Sequence, residues 1–211
     1  MAYPWHMGLY ERHVVPCLTH LAMQSGRLLP FRRRVAGAAE GVVLELGAGS
    51  GLNLPLYGGA VRRVIALEPS GPLRDRARAR AGSVGMPVEV LAASAEALPL
   101  GDGSVDTVVT TWTLCTIPDA PRALAEARRV LRPGGALLFV EHGRAPEPGV
   151  ARWQDRLDPL WTHIAGGCHL NRPIDALIAA AGFRVTELAT SRIPGPRTHT
   201  FFYKGRAIPD R

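Results

Sequence analysis

Lysine is almost absent from this chain. Of its 25 basic side chains, Lys204 is the one lysine, and arginines carry the rest of a net charge of +7 over 211 residues. The arginines are scattered, with Arg32-Arg33-Arg34 as the one run of three. This basic balance permits nucleic acid or acidic lipid as a partner without indicating either. Because no aromatic RNA-binding strand accompanies it, we expect no nucleic-acid partner.

Cysteine is also scarce. Cys17, Cys115 and Cys168 form no C-x-x-C pair, and an odd, sparse set indicates reduced thiols in a cytosol. We therefore predict a cytoplasmic protein. His169 adjoins Cys168, but adjacent residues are poorly placed to chelate one metal ion, and no Cys/His spacing is typical of a zinc site. From spacing alone we predict no metal.

Long apolar runs are missing as well. No stretch approaches the roughly 20 residues of a membrane span, and the N-terminus lacks the charged start and apolar core of a signal peptide. We expect no transmembrane segment, with peripheral membrane contact left open. A hydrophobic content of 46% and a charged content of 20% indicate one globular domain over residues 1–211. We expect a monomer or a homodimer.

The most informative stretch is V-V-L-E-L-G-A-G-S-G-L-N, residues 42–53. Its apolar start predicts a buried parallel strand, with Glu45 inside it. Its alternating glycines, Gly47, Gly49 and Gly51, predict a sharp turn that opens a helix and lets a ligand approach bare backbone. The dinucleotide fingerprint is not met, because its third glycine would fall on Leu52.

Further strands and helices alternate along the chain. This alternation predicts an α/β, Rossmann-like, doubly wound sheet of seven strands, mostly parallel with an antiparallel last strand. We expect a helical lid within residues 1–40 and a substrate-covering insertion over residues 145–172, in which Pro159 breaks or kinks a helix. The predicted strands begin at Val42 and continue with residues 61–68, 86–93, the stretch within 102–119, 136–142, 183–188 and 198–205.

Several side chains fall where the predicted strands end. Ligands of open α/β sheets bind beyond the carboxyl ends of the strands. Glu68 lies about 20 positions beyond the glycine turn, where a carboxylate accepts bonds from ribose hydroxyls, although an exposed strand-end carboxylate is the alternative. Cys115 is either a nucleophile or a small pocket-lining residue, and we favour lining. His142 is an acid–base candidate or a hydrogen-bonded rim histidine, and both interpretations stay open.

Three segments together resemble a known family. L-E-L-G-A-G-S-G, V-D-T-V-V-T-T-W-T-L-C-T-I and V-L-R-P-G-G-A-L-L-F-V-E-H are similar to class I S-adenosylmethionine (SAM) methyltransferases of the ubiquinone-biosynthesis type. T-L-C-T, E-H-G and L-D-P-L-W-T-H-I-A-G-G-C-H-L-N-R resemble, more narrowly, the methyltransferase-like protein seven group of alkyl thiol S-methyltransferases. The likeness runs from about Val42 to Phe183. Animal members begin with an apolar membrane anchor, and we expect none in this chain.

The resemblance implies a cofactor, a substrate class and roles for particular residues. The cofactor is SAM, and the acceptor is a small molecule, with a thiol as the first choice. His142 is the first candidate for the base and His169 the second, and the substrate side is lined by Cys115, Trp153, Trp161 and His142. Many methyltransferases carry Asp where this chain has Ser94. The expected cofactor-binding residues are Glu45, Gly47, Ala48, Gly49, Gly51, Asn53, Glu68, Pro69, Ser94, Ala95, Glu96, Thr111 and Trp112.

Other functions remain open at this point. One is N- or O-methylation of a phospholipid, a quinone precursor or a natural product, which would use the same SAM half. Another is a SAM-binding sensor or scaffold without catalysis. The glycine turn, Glu68 and the apolar lid favour an enzyme, since a scaffold has no need of all three. RNA methylation is the weakest alternative, because no asparagine-proline tetrad follows the fourth strand.

Overall fold

A computed structural model describes residue 10 and residues 14–210 of the chain. The described part contains seven strands: β1 Gly41–Leu46, β2 Val61–Leu67, β3 Val88–Leu91, β4 Val105–Thr111, β5 Leu131–His142, β6 Phe183–Arg192 and β7 Phe201–Pro209. It also contains six α-helices: α1 Val15–Met23, α2 Leu29–Gly37, α3 Gly71–Ala81, α4 Ala120–Val130, α5 Pro148–Ile164 and α6 Ile174–Ala180.

The seven strands form one sheet in the order β3-β2-β1-β4-β5-β7-β6. The pairs among β1 to β5 are parallel, and β7 lies antiparallel between β5 and β6. The predicted mostly parallel, doubly wound sheet is therefore confirmed. Because the chain runs outward from β1 to β3 and then returns to β4, the order reverses between β1 and β4. Their carboxyl ends border the crevice where such folds bind ligands.

Both faces of the sheet are covered, which explains why its central strands are almost continuously apolar. In β1, Val42 and Leu44 belong to one buried cluster, and Val43 between them belongs to the cluster on the opposite face. Alternate side chains of a strand point to opposite faces, so both sets must be apolar. The helix α4 covers the first face with Ala123 and Leu124, both fully buried.

The local structure differs from expectation at three places. The glycine turn is followed by a single 3-10 turn, Leu54–Leu56, and not by an α-helix. Pro55 lies inside this turn and has no backbone N–H to donate. The helix α5 continues through Pro159, so the predicted break is absent, because one missing N–H removes only one bond from a 17-residue helix; the predicted kink stays a prediction. The strand β5 begins at Leu131, five residues before the predicted start at residue 136, directly after α4 ends at Val130.

The N-terminal helices cover the carboxyl edge of the sheet. The α1 residue His20 places its Nδ1 atom 2.8 Å from the hydroxyl of Ser50 in the glycine turn. The α2 helix buries Arg32, Val35 and Ala36 against the domain. The predicted cap over 1–40 and the predicted domain boundaries stay predictions, and residues 1–9 and 11–13 of that cap lie outside the described part. Within that part, no helix is both long and apolar enough to cross a membrane.

Candidate active site

The glycine turn after β1 is held in backbone conformations that require glycine. Gly47, Gly49 and Gly51 have φ angles of +62°, +58° and +76°. A Cβ atom on Gly47 would overlap the side chain of Thr113, whereas a Cβ on Gly49 would meet no atom within 4 Å. The turn is therefore packed on the Gly47 side and open at Gly49, which leaves bare backbone for a ligand there.

Glu68 follows β2 and faces the glycine turn. Its carboxylate accepts the backbone N–H groups of Gly49 and Ser70, each at 2.8 Å. Burial raises the pKa of Glu68, and the two backbone bonds act in the opposite direction. A carboxylate has about four acceptor positions, so about two remain for the ribose hydroxyls of SAM. The residues present thus fit the cofactor.

A buried polar network lies beneath the turn. Asn53 donates to Glu45 at 2.8 Å and to Thr111 at 3.0 Å, and Tyr57 donates to the second oxygen of Glu45 at 2.9 Å. Burial raises the pKa of Glu45 to about 7, although the bonds from Tyr57 and Asn53 oppose this shift. Glu45 is 1% exposed and each of its oxygens accepts a protein donor, so it holds the turn from below, and its predicted contact with the cofactor stays a prediction.

Arg32 completes this network and was not among the residues expected there. Its guanidinium donates to Asn53 at 3.0 Å and to Thr111 at 3.3 Å, and lies 4.8 Å from the centre of the Trp112 ring. Burial lowers its pKa to about 10, against the attraction of Glu45. The sequence carried a signal for this position. Arg32, Val35 and Ala36 have the i, i+3, i+4 spacing of one helix face.

The predicted adenine edge is a short turn after β3. Ser94 accepts the backbone N–H of Glu96 at 3.2 Å and donates to its carboxylate at 3.0 Å, while Glu96 also accepts the Asp119 N–H at 2.7 Å. These two side chains therefore fix the turn. Ala95 between them is buried, and the carbonyl of Pro69 accepts a bond from Arg74. Their contacts with cofactor stay predictions.

The carboxyl end of β4 connects the glycine turn to the predicted substrate side, where Cys115 and His142 lie. Trp112 has a φ of 52°, a strained value for a non-glycine residue, and its buried indole N–H has no partner within residues 14–210. The next residue, Thr113, places its hydroxyl 3.3 Å from the Gly47 carbonyl and donates its N–H to Glu141. Burial raises the pKa of Glu141 to about 7, although the bond from Thr110 opposes this shift. Glu141 was likewise not among the predicted site residues.

Three side chains converge close to Thr113: the thiols of Cys115 and Cys168 and the imidazole of His142. The His142 Nε2 atom lies 2.9 Å from the Cys168 sulfur, which lies 3.7 Å from the Cys115 sulfur. The hydrogen bond with Cys115 lowers the pKa of Cys168 against the effect of burial, and His142 adds to this lowering. The same bond and full burial raise the pKa of Cys115. For His142, burial lowers the pKa, but the Cys168 sulfur outweighs it and the net shift is upward.

The remaining predicted residues divide between the site and the surface. Trp161 packs its ring edge-on at 4.3 Å from the His199 ring, and its buried N–H, although close enough to Cys168 to lower that pKa, makes no hydrogen bond of normal geometry. The His169 ring is held by Asp158 at 2.8 Å, away from the sulfur cluster. Trp153 is 56% exposed beneath Arg156, so the structure does not bring it to the others.

Two buried side chains from α5 brace this side of the site. Gln154 accepts the Ala145 N–H at 2.8 Å and donates to the carbonyls of Gly143, Leu170 and Thr198. Asp158 accepts the Leu170 N–H at 2.6 Å. Gln154 lies outside the segments that resemble the family, whereas Asp158 lies inside L-D-P-L-W-T-H, and the signal that the two share is their i, i+4 spacing on the buried stripe of α5.

The chain is similar to known proteins over most of its length. A family model described as a methyltransferase domain matches residues 44–139. Thiol S-methyltransferase TMT1A of Homo sapiens is 34% identical over 195 residues, covering 90% of this chain and 80% of that protein. Thiol S-methyltransferase TMT1B of Homo sapiens is 37% identical over 158 residues, or 73% of this chain, and the match spans 64% of that protein, less than two thirds. Phosphatidylethanolamine N-methyltransferase of Cereibacter sphaeroides is 33% identical over 78% of this chain and 81% of that protein.

Among solved structures, a SAM-dependent methyltransferase of Thermotoga maritima has the same fold. The two superpose with a TM-score of 0.66 and 26% identity, over 94% of this chain and 97% of the other. The sheet order agrees with these likenesses, which identify SAM as the cofactor. The chain therefore belongs to the class I SAM-dependent methyltransferases that carry this methyltransferase domain.

Proposed function

We propose that this protein transfers the methyl group of SAM to the sulfur of a small-molecule thiol. One observation carries the proposal: the cluster of Cys115, His142 and Cys168 lies just beyond Thr113, the residue that contacts the glycine turn. An acceptor bound at this cluster would lie beside the glycine turn, on the side of the site that receives SAM. Two human relatives named thiol S-methyltransferases support the same acceptor class.

SAM supplies an electrophilic methyl group, so the protein has to bind the cofactor, align the acceptor and exclude water. Glu68 binds the ribose and the open backbone at Gly49 receives the cofactor. The aligned acceptor is surrounded by Cys115, Trp161 and His142. We place His142 nearest to the acceptor sulfur because it ends β5 at the same rim as the glycine turn, with His169 as the second candidate.

N-methylation of a phospholipid is the second candidate function. The relative named phosphatidylethanolamine N-methyltransferase matches 78% of this chain, so the cofactor half supports both functions equally. Methylation of a quinone precursor or natural product, and SAM sensing without catalysis, stay further alternatives. The cytoplasmic location, the lack of a nucleic-acid partner and the monomeric or dimeric state stay predictions from the sequence.

A methyl-transfer assay separates these functions. The full chain would be given labelled SAM with a panel of thiols, amines, phenols and phosphatidylethanolamine vesicles, and release of S-adenosylhomocysteine would be followed. We expect turnover on thiols. Turnover confined to the phospholipid or to an amine would replace the thiol proposal, and SAM binding without any turnover would favour the sensor.

Two variants locate the function within the site. Glu68→Gln should weaken SAM binding, because it removes the charged acceptor of two hydrogen bonds. His142→Ala should leave SAM binding unchanged and lower turnover on thiols. A folded His142→Ala protein with full turnover would remove His142 from its proposed role.

A further inference from the structure

Three metal-ligating side chains meet at the acceptor side although they are remote in the sequence. Cys115 follows β4, His142 ends β5 and Cys168 follows α5. Their ligand atoms all lie within 4.8 Å of one another, and Cys115 and His142 are buried. Within the described residues this is the one cluster of three or more potential ligands that meets this spacing. No zinc-type spacing in the sequence announces it, because each ligand comes from a different element.

The spacing of the sulfur atoms matches coordination to one ion. Tetrahedral zinc with bonds of about 2.3 Å to sulfur and about 2.0–2.1 Å to nitrogen separates two sulfur ligands by about 3.8 Å, and sulfur from nitrogen by about 3.5 Å. The two sulfurs here are 3.7 Å apart, whereas a disulfide needs about 2.05 Å. The His142 Nε2 atom, at 2.9 Å from Cys168, has to withdraw by about 0.6 Å to reach that zinc geometry.

No hydrogen bond at the second ring nitrogen of His142, among the described residues, opposes this small movement. Its Nδ1 atom is buried and has no hydrogen-bond partner among the residues that the structure describes, so no bond at that nitrogen holds the ring in place. The two cysteines, by contrast, are held together by contacts that do not involve their sulfurs. The His169 N–H donates to the Cys115 carbonyl at 2.8 Å, and Arg172 donates to the carbonyls of Leu114 and Ile117 on either side of Cys115.

We propose that Cys115, His142 and Cys168 bind one soft metal ion of the zinc class. Two thiolates and an imidazole select Zn²⁺ or Cu⁺ over Mg²⁺ or Ca²⁺, which prefer oxygen ligands. Two thiolates also balance the charge of a divalent ion. Three protein ligands leave one coordination position open, which is the arrangement of catalytic rather than structural zinc.

The open position deepens the proposed function, on which this part of the inference rests. A thiol that binds there loses its proton to water, because a coordinating thiol is deprotonated by the ion. The acceptor sulfur then forms a bond to the methyl carbon while the S–CH3 bond of SAM breaks. The products are a neutral thioether, S-adenosylhomocysteine and the released proton.

Metal binding can be measured without turnover. The reduced, metal-free full chain would be titrated with Co²⁺, and we expect one equivalent to give a thiolate-to-cobalt charge-transfer band and the visible bands of tetrahedral cobalt, both removed by Zn²⁺. Cys115→Ser, Cys168→Ser and His142→Ala should each raise the Kd for Zn²⁺ at least about 100-fold. Cys17→Ser is the matched control, since Cys17 is exposed on α1 and should leave the titration unchanged.

A second measurement on the unchanged protein covers the case that a variant fails to fold. Zn²⁺ should protect two of the three cysteines from alkylation, and peptide mapping should identify them as Cys115 and Cys168. Reduced protein that gives no charge-transfer band and no protection would overturn the proposal, as would a Cys115–Cys168 disulfide that forms in air while the reduced pair binds no metal.

The metal titration and the turnover assay, taken together, distinguish the metal site from the proposed function. Metal binding without turnover on any thiol would leave the metal site standing and remove the thiol function. Full turnover on thiols by chelator-treated, metal-free protein would leave the function standing and remove the metal from it.

Discussion

The two sides of the active site are built in opposite ways. The donor side, residues 41–70, takes its turn and its carboxylate from one strand–turn–strand segment, and hydrogen bonds among Glu45, Asn53 and Tyr57 hold it from below. The acceptor side, residues 111–117 and 141–172, is assembled from three elements that are far apart in the chain. Its sulfur atoms belong to residues 53 positions apart.

The donor side is therefore specified by residues close together in the sequence, and the acceptor side by contacts between distant segments. A glycine with positive φ and a strand-end carboxylate act through neighbours in sequence, so the donor side tolerates few changes within a short motif. On the acceptor side, positions depend on the side chains that join β5, α5 and the loops. Variants of those joining residues should therefore disturb the acceptor side and leave cofactor binding intact, and the reverse should hold for the glycine turn.

The largest effect should come from Gln154, which joins α5 to three other segments, those of Ala145, Leu170 and Thr198. Gln154→Met keeps the volume but leaves the Ala145 N–H and three carbonyls without their partner. Since each buried unpaired polar group costs about 1–3 kcal/mol, and water can reach some of them, we expect a loss of about 4 kcal/mol in the free energy of unfolding. Urea denaturation measures it.

The control for this variant is Gln154→Glu, whose carboxyl group is protonated at acidic pH and therefore keeps the acceptor for the Ala145 N–H and one donor in place of two. It should fall between the wild type and Gln154→Met at acidic pH. A Gln154→Met protein as stable as the wild type would mean that the acceptor side does not depend on this joining residue. SAM affinity of the folded fraction should stay unchanged.

The next effect should come from the donor side, at Gly47. Gly47→Ala adds left-handed strain of about 1–2 kcal/mol and pushes on Thr113, for a total of about 3 kcal/mol. We expect the Kd for SAM to rise at least about 10-fold, which calorimetry would measure. Gly103→Ala is the matched control: Gly103 has a φ of +58°, but its Cβ would meet no atom within 4 Å. It should show the strain without the loss of affinity, and equal affinities for the two variants would contradict this account.

A smaller effect, confined to a pH window, should arise from Glu45. Its folded pKa of about 7 lies above the ordinary value of 4.5, so the folded state binds more protons between those two values. Stability should therefore fall as pH rises from about 4.5 to about 7, by on the order of 2 kcal/mol. The measurement is the free energy of unfolding against pH for wild type and Glu45→Gln, taken as a difference because Glu68 and Glu141 titrate in both. A constant difference over this window would show that Glu45 is not the titrating group.

The sequence predicts the donor side and the sheet because both are written in short contiguous patterns. The glycine spacing located the turn, and the apolar runs located β1, β2 and β4. The same approach missed Arg32, because the run Arg32–Arg34 suggests exposure although only its first member has the spacing of the buried face. It also missed the sulfur cluster, since His142 and Cys168 are 26 positions apart and meet only because the chain returns to the end of β5 after α5. Spacing rules for metal ligands describe sites within one motif and carry no information about such a meeting.

The smallest effect should come from an exposed bond at the rim of the acceptor side. Arg144 donates to both oxygens of Asp155, at 2.6 and 3.0 Å, but the side chains are 39% and 43% exposed. Solvent screens such a pair, so a double-mutant cycle with Arg144→Met and Asp155→Asn should give a coupling of about 0.5 kcal/mol that fades in high salt. Gln154 and Asp155 are neighbours on α5, but Gln154 is buried and Asp155 is exposed. Comparing the effects of changing each residue therefore tests how much burial contributes. A coupling as large as the Gln154→Met effect would mean that charge at the rim, rather than buried amide bonds, holds the acceptor side together.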